Sequence, residues 1–431
     1  MLISFVSRYF ENGTLLFPGN PDGKSFIFTT KISYKMWLKV VYIAKAVINR
    51  HQAFIWLAAL AGCYQTSSRD DASTIAAGAR EGLIRHAQGF QIRKEEGYQL
   101  LDIITPFRTP ADTLRYVLLK KGDGIPEGFS QNQVIYVPVK SIAVTSNLHA
   151  GAIDRLEAWD FLVAAGDGDQ LYSPKIREKI RSGAVKEIYK GNTLNQEKIL
   201  ELQPDVLMVT GSPEAGPDAF SNIVKSGIPV IINSEWLENS PLGRAEWIKL
   251  MAALLDRQNF ADHQFAFVES SYLHTAELAG KTTGKKPGIL LGNEYQGTWY
   301  MPGGKSFMAT LLSDAGADYH WKDNDLTGAI PLNFEAVYPV ALDADFWLNI
   351  YVSSPEDGKK ELVASDSRYS DFKSVRNGRL YSMANRVNEN GANDYWESSS
   401  FRPDLLLADY VKILYPDLLP EHTLYYCRKL E

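Results

Sequence analysis

Apolar and polar positions change rhythm along the chain, and each rhythm predicts an element. Phe161 to Ala164, Val206 to Val209 and Val230 to Ile232 are unbroken apolar runs, and Val139 to Thr145 reads as a further buried strand around Ile142, Ala143 and Val144. Runs of this length predict strands covered on both faces. Between them lie stretches of helical spacing, such as Ala150 to Ala158 with Ile153 and Leu156 on one side. Strands alternating with helices predict a parallel sheet over residues 138–240. The rhythm then becomes helical only: Trp247, Leu250, Met251, Leu254 and Leu255, then Phe265, Val268 and Tyr272, with no Gly or Pro between Gly243 and Gly280. A nearly continuous linker helix over 241–284 is expected. Mixed texture resumes with strands at Gly288 to Leu291, Phe346 to Ile350 and Leu380 to Ser382, and a helix over Ser306 to Ala315, defining a second region over 285–431. Ahead of all this, Phe90 to Ile92, Tyr98 to Ile104 and Thr113 to Leu119 read as a small β extension within 81–137. The fold class expected is α/β: two Rossmann-like lobes with parallel sheets, joined by a long helix.

One pattern occurs in both lobes. Leu194-Asn195-Gln196-Glu197 and Leu332-Asn333-Phe334-Glu335 each open a helical segment followed by an acidic turn and an apolar strand. Asn is a preferred N-cap, and a Glu in the first turn meets the positive end of the helix dipole. Both carboxylates should face solvent. Such a start serves equally well as a plain helix cap, so the pattern alone leaves their role open.

Composition narrows the function classes. A chain of 431 residues exceeds what one core usually serves, which agrees with two lobes. The net charge of -6, without a basic stripe, argues against nucleic acid as a partner. Of the two cysteines, Cys63 follows the apolar run Ala53 to Gly62, itself preceded by Lys39, Lys45 and Arg50. That run is too short to span a bilayer but suits a signal-peptide core. Leu60-Ala61-Gly62-Cys63 resembles the bacterial lipobox, which makes Cys63 the expected lipidation site and 1–63 a leader region, with Met36 an alternative start to Met1. Residues 64–80 are polar and read as a flexible tether. Cys427 is left without a partner cysteine.

Several chemistries are poorly matched. Gly303-Gly304-Lys305-Ser306 resembles a phosphate loop, but Trp299 stands where its first Gly belongs. Leu171 replaces the third Gly of a dinucleotide fingerprint after Gly166 and Gly168, and Phe334 replaces the bidentate Glu of a calcium loop beginning at Asp323. No Gly-x-Ser-x-Gly or His-Glu-x-x-His is present, and the seven histidines are scattered without ligand spacing. A resident metal or other cofactor is therefore not expected.

Five stretches carry a family resemblance when taken in order: VPVKSIAVTSNLHAGAIDRL, TLNQEKILELQPDVLMV, SGIPVIINSEWLENSPLGRAEWIKLMAALL, TWYMPGGKSFMATLLSDAGADYHW and YWESSSFRPDLLLADYVKILYPDLL. Together, over roughly 135–420, they resemble the helical-backbone class of periplasmic solute-binding proteins of ATP-binding-cassette importers. Within it they look most like the iron-complex and cobalamin branch in its lipoprotein form. The resemblance implies a non-enzymatic, monomeric protein on the periplasmic or cell-surface side of a bacterial membrane, held there by a lipid anchor. It further implies that Glu197 and Glu335 dock onto arginines of the importer's permease dimer, which works with its ATPase subunits. The cargo implied is an iron chelate of siderophore type, with cobalamin or haem as variants, and any metal arrives only within that chelate. A two-lobed α/β metal-cofactor enzyme is the contrasting reading.

Ligands of open parallel sheets sit beyond the carboxyl ends of the strands. That rule selects His149, Tyr172, Trp236, Trp299, Tyr300, Arg386 and Trp396 as candidate ligand contacts, with Arg386 or His149 placed to meet acidic groups on a chelate. Each aromatic among them suits lobe packing about as well.

Overall fold

The computed structural model describes residues 83–431, apart from 106–111, 191–192, 213–216, 353 and 355. The leader, Cys63, the tether and the Met1 or Met36 start all lie outside the described residues. Four strands come first: β1 (Phe90–Lys94), β2 (Tyr98–Thr105), β3 (Asp112–Lys120) and β4 (Val134–Val137). The first three pair antiparallel in sequence order, and β4 joins β3 in parallel.

The first lobe is built on β5 (Ile142–Val144), β6 (Leu162–Ala165), β7 (Lys186–Glu187), β10 (Val206–Thr210) and β11 (Val230–Asn233), with a small hairpin of β8 (Tyr189–Lys190) and β9 (Thr193–Leu194) outside it. The five run parallel in the order β11-β10-β5-β6-β7. Alternate side chains of β10 feed two different cores. Leu207 and Val209 pack with Ile199 and Ile223, whereas Val206 and Met208 pack with Ile153 and Trp247. This is why the strand reads as continuously apolar.

One face of the extension shares that second core, while the other forms a small cluster of its own from Leu100, Val117, Leu119 and Val134. Phe90, Ile92, Leu101, Ile103 and Leu118 are buried in the shared core, and the rings of Phe90 and Trp247 lie 4.7 Å apart. Two buried carboxylates hold the chain just before β1. Glu246 accepts the backbone N–H groups of Arg85, His86 and Ala87, and Glu238 accepts those of Gln88 and Gly89.

The linker departs from the expected continuous helix. It consists of three helices, Pro241–Glu246, Ile248–Leu255 and Gln258–Gly280. The clearest break is at Asp256, whose φ of 55° is left-handed. Asp tolerates that conformation, so the break carries no Gly or Pro to announce it. Ile248–Leu255 is buried throughout within the first lobe. The first and last of these helices reach both lobes: Leu242 lies in the second-lobe core although Glu246 holds the segment before β1, and in the last helix Ala261 belongs to the first-lobe core whereas Tyr272 and Ala279 belong to that of the second.

The second lobe carries β12 (Gly288–Leu291), the strands β13 (Glu294–Tyr295) and β14 (Thr298–Pro302), then β15 (Asp318–Tyr319), β16 (Ala329–Leu332), β17 (Phe346–Ile350), β18 (Leu380–Ser382) and β19 (Arg428–Lys429). Its main sheet has the order β15-β12-β17-β18-β19, parallel except at β19. The strands β13, β14 and β16 form a separate antiparallel sheet. The chain then returns: Phe401 is buried in the first-lobe core. No helix among the described residues is long and apolar enough to cross a membrane.

Candidate functional site

Parallel strands end on a common side, and the segments leaving those ends enclose a cavity of about 380 Å³ between the lobes. The first lobe contributes Asn147 and Gln170. Asn147 opens the helix Asn147–Arg155 after β5; Ser146 caps that helix by accepting the His149 N–H at 3.2 Å. Gln170 ends the turn after β6, and its carbonyl accepts from the Asn147 side chain at 2.8 Å. The second lobe contributes Asn349, Tyr351 and Val352 at the end of β17, and Met383, Asn393, Tyr395 and Trp396 beyond β18. Asn349 has a φ of 54°, and the β17 to β18 register shifts there. Its amide oxygen accepts from the buried Tyr410 hydroxyl at 2.7 Å, which fixes the side chain in an orientation the strand alone would not give.

One wall of the cavity also joins the lobes. Glu397, in the helix Asp394–Ser398, accepts the backbone N–H groups of Tyr172 and Ser173 at 2.6 and 2.9 Å. Asn388 donates to the Leu171 carbonyl at 3.0 Å, and Arg177 pairs with Glu389 at 2.6 Å. The helix Asp394–Ser398 lies against Asn147–Arg155 so closely that a Cβ on Gly151 would stand 2.0 Å from the Glu397 carbonyl oxygen. Glycine is required there by this approach. Burial pushes the Glu397 carboxyl up to about 7, although its two backbone donors pull the other way.

Of the residues singled out in the sequence, Trp396 lines the cavity and is 64% exposed. Trp299 does not reach it: the side chain is fully buried, and its Nε1 donates to the Leu291 carbonyl at 2.7 Å. Trp299 and Tyr300 are neighbours in β14 rather than members of a loop, so they point to opposite faces, and Tyr300 is exposed away from the lining. His149 is also fully buried, with neither ring nitrogen hydrogen-bonded. Burial lowers its pKa to about 3, so it is a neutral core imidazole and offers no cation to a ligand.

Arg386 is already engaged. Its Nε donates to Asp394 at 2.6 Å, and its guanidinium lies 4.4 Å from the Tyr425 ring centre and 5.2 Å from that of Tyr172. Tyr172 accordingly sits at the lobe junction, outside the lining. Trp236 is exposed in the turn after β11, outside the lining, and its Nε1 donates to the Gly211 carbonyl at 2.9 Å. Sequence reasoning did not single out Gln170, Asn349, Tyr351, Met383 or Asn393. Position after a strand was the available signal for most of them; the turned backbone at Asn349 leaves no sequence mark. Among the described residues no group of three or more His, Cys, Asp or Glu is placed to hold a metal ion.

The two Glu of the repeated pattern occupy matching places. Glu197 lies in the first turn of Gln196–Leu202, where Asn195 accepts the Lys198 N–H at 3.0 Å. Glu335 lies in the first turn of Phe334–Asp343, where Asn333 accepts the Ala336 N–H at 3.0 Å. Both carboxylates are exposed.

Residues 142–387 match the periplasmic binding protein family, a span that includes both parallel sheets almost entirely and most of the cavity. The chain belongs to the periplasmic binding protein family. Similar curated relatives of this family member come from Methanocaldococcus jannaschii. One uncharacterized lipoprotein is 26% identical over 70% of this chain and 73% of its own length, and another is 23% identical over 78% and 83%. Among solved structures, Helicobacter pylori CeuE in a nickel–histidine complex is 16% identical, with a TM-score of 0.50 over 75% of this chain and 90% of that one. That likeness is one of fold: two α/β lobes with parallel sheets. For a member of this family, an importer partner and a small ligand follow.

Proposed function

We propose that this protein captures a metal chelate in the cleft between its lobes and delivers it to an ATP-binding-cassette importer. An iron chelate of siderophore type is the leading cargo, with cobalamin or haem as variants. The observation that carries the reading is the cavity itself, set at the carboxyl ends of both parallel sheets with walls from both lobes. Its exposed aromatics, Tyr351 and Trp396, suit a bulky, flat or hydrophobic ligand surface. The CeuE structures with nickel make a metal-bearing ligand a natural class to test.

Delivery rests on Glu197 and Glu335. One exposed carboxylate at a helix start in each lobe suits a dimeric permease bearing an arginine on each half, since bidentate Arg–carboxylate pairs give strength and orientation. Cys63 would carry the lipid anchor, a reading supported by the lipoprotein names of the two relatives. The protein then works outside the cytoplasm as a monomer, turns over nothing, and needs no resident cofactor. A metal-cofactor enzyme is less well supported, because the cavity is lined by amides, aromatics and apolar groups rather than by nucleophiles or a metal cluster.

Titration of the protein's tryptophan fluorescence with ferric siderophores, haem and cyanocobalamin tests the reading. Saturable quenching at micromolar concentration is expected for at least one of them. Failure of all three to quench would remove the chelate as cargo.

A further inference from the structure

Resting on the reading above, we infer that the cleft selects chelates of zero net charge that present carbonyl and N–H groups, and discriminates against anionic ones. The lining holds four primary amides, Asn147, Gln170, Asn349 and Asn393, two from each lobe. Tyr410 holds Asn349, the Tyr395 N–H and the Met383 carbonyl hold Asn393, and Asn147 donates to the Gln170 carbonyl, so the remaining capacity, chiefly the Asn147 amide oxygen and the Gln170 side chain, is what meets a ligand's N–H and carbonyl groups. The remaining lining is aromatic or apolar, and it contains no Lys, Arg, His, Asp or Glu among the described residues.

Charged groups at the lobe junction beside the cleft are engaged within the protein. Arg386 pairs with Asp394, Arg177 with Glu389, and Asp169 accepts from Asn390 at 3.2 Å. Arg386 stands outside the lining, bound to Asp394 through Nε and set against the Tyr172 and Tyr425 rings. An anion entering this cavity would lose water and gain no cation, which is a costly exchange. A neutral ligand meets no such penalty. The long-range field gives an anion no help either, because the chain itself carries a net charge of -6.

The distinction divides iron chelates by chemistry. Ferric ion held by three hydroxamates sums to zero charge, and cyanocobalamin is also neutral and amide-rich. Ferric ion held by three catecholates is trianionic, and haem carries two propionates.

The test is a set of equilibrium titrations of the full chain with a neutral ferric trihydroxamate, cyanocobalamin, a ferric tris-catecholate and haem. At least one neutral ligand is expected to bind about tenfold or more tightly than either anionic one. Equal or tighter binding of an anionic chelate would overturn the charge selection while leaving capture in the cleft intact. Binding of none of the four would end the capture reading, and the selection with it. Gln170→Arg supplies the complementary measurement, since its side chain is exposed at the cavity. This change should raise affinity for the tris-catecholate about tenfold relative to the neutral ligands. Unchanged selectivity in that variant would show that the cleft does not set it.

Discussion

The Glu397 carboxylate of the second lobe accepts the Tyr172 backbone N–H of the first at 2.6 Å. With the Ser173 N–H it forms a junction that closes one side of the ligand cavity and holds the lobes together without a counter-ion. Its chemistry makes the junction sensitive to pH. Burial raises the folded carboxyl from 4.5 to about 7, so its stabilising contribution is complete below pH 4.5 and is lost as pH rises through about 7. His149 acts in the opposite direction. Burial lowers it from 6.5 to about 3, so its contribution is complete above pH 6.5 and is lost as pH falls toward about 3. The two slopes oppose each other between pH 4.5 and 6.5. Melting temperatures measured across that window for wild type, Glu397→Gln and His149→Phe should separate them. The advantage of wild type over Glu397→Gln should shrink as pH rises, and its difference from His149→Phe should change with the opposite slope. A pH-independent difference in both comparisons would contradict the assignment.

Gly151 tests the same junction by volume rather than charge. A Cβ placed 2.0 Å from the Glu397 carbonyl oxygen cannot be accommodated unless the two helices separate. Gly151→Ala should cost about 1–3 kcal/mol in urea unfolding, the usual range for overpacking. It should also weaken ligand binding, because the displaced helix carries Tyr395 and Trp396 into the cavity wall. Wild-type stability in this variant would mean that the close approach is not required.

These two residues show where sequence reading reached its limit. The strands were legible because a covered parallel strand is a continuous apolar run, and β6, β10, β11, β12 and β17 fall within a residue or so of their expected positions. The side of the sheets on which the cavity opens was legible by topology, which brought in Trp396. Burial of individual side chains was not. Glu397 looks like a solvated helix residue, yet it is 3% exposed because a helix from the other lobe covers it. Trp299 and Tyr300 were grouped as neighbours, but the strand pleat sends one into the core and the other to the surface. Asp256 ends a helix through a backbone angle that its identity permits but does not announce.

Glu197 and Glu335 are expected to act on the importer alone. Both are exposed, so Glu197→Lys and Glu335→Lys should each change stability by no more than about 0.5 kcal/mol. Ligand affinity should be preserved in the double variant. Chelate-dependent stimulation of the importer's ATPase in reconstituted membranes should be abolished, since charge reversal replaces an attraction by a repulsion at both contacts. Retained stimulation would remove docking from these residues, and lost ligand binding would place them in a different role.

The central claim is that cargo binds between the lobes at the strand ends. Its most direct measurement is a side-by-side titration of wild type and the Tyr351→Ala/Trp396→Ala variant with whichever chelate wild type binds, followed by calorimetry so that loss of tryptophan signal is not mistaken for loss of binding. These two side chains are exposed in the cavity, so the fold should survive their removal. Affinity is expected to fall at least about tenfold, as for truncation of aromatic anchors in a binding site. Unchanged affinity in the folded variant would place the ligand elsewhere and contradict the account.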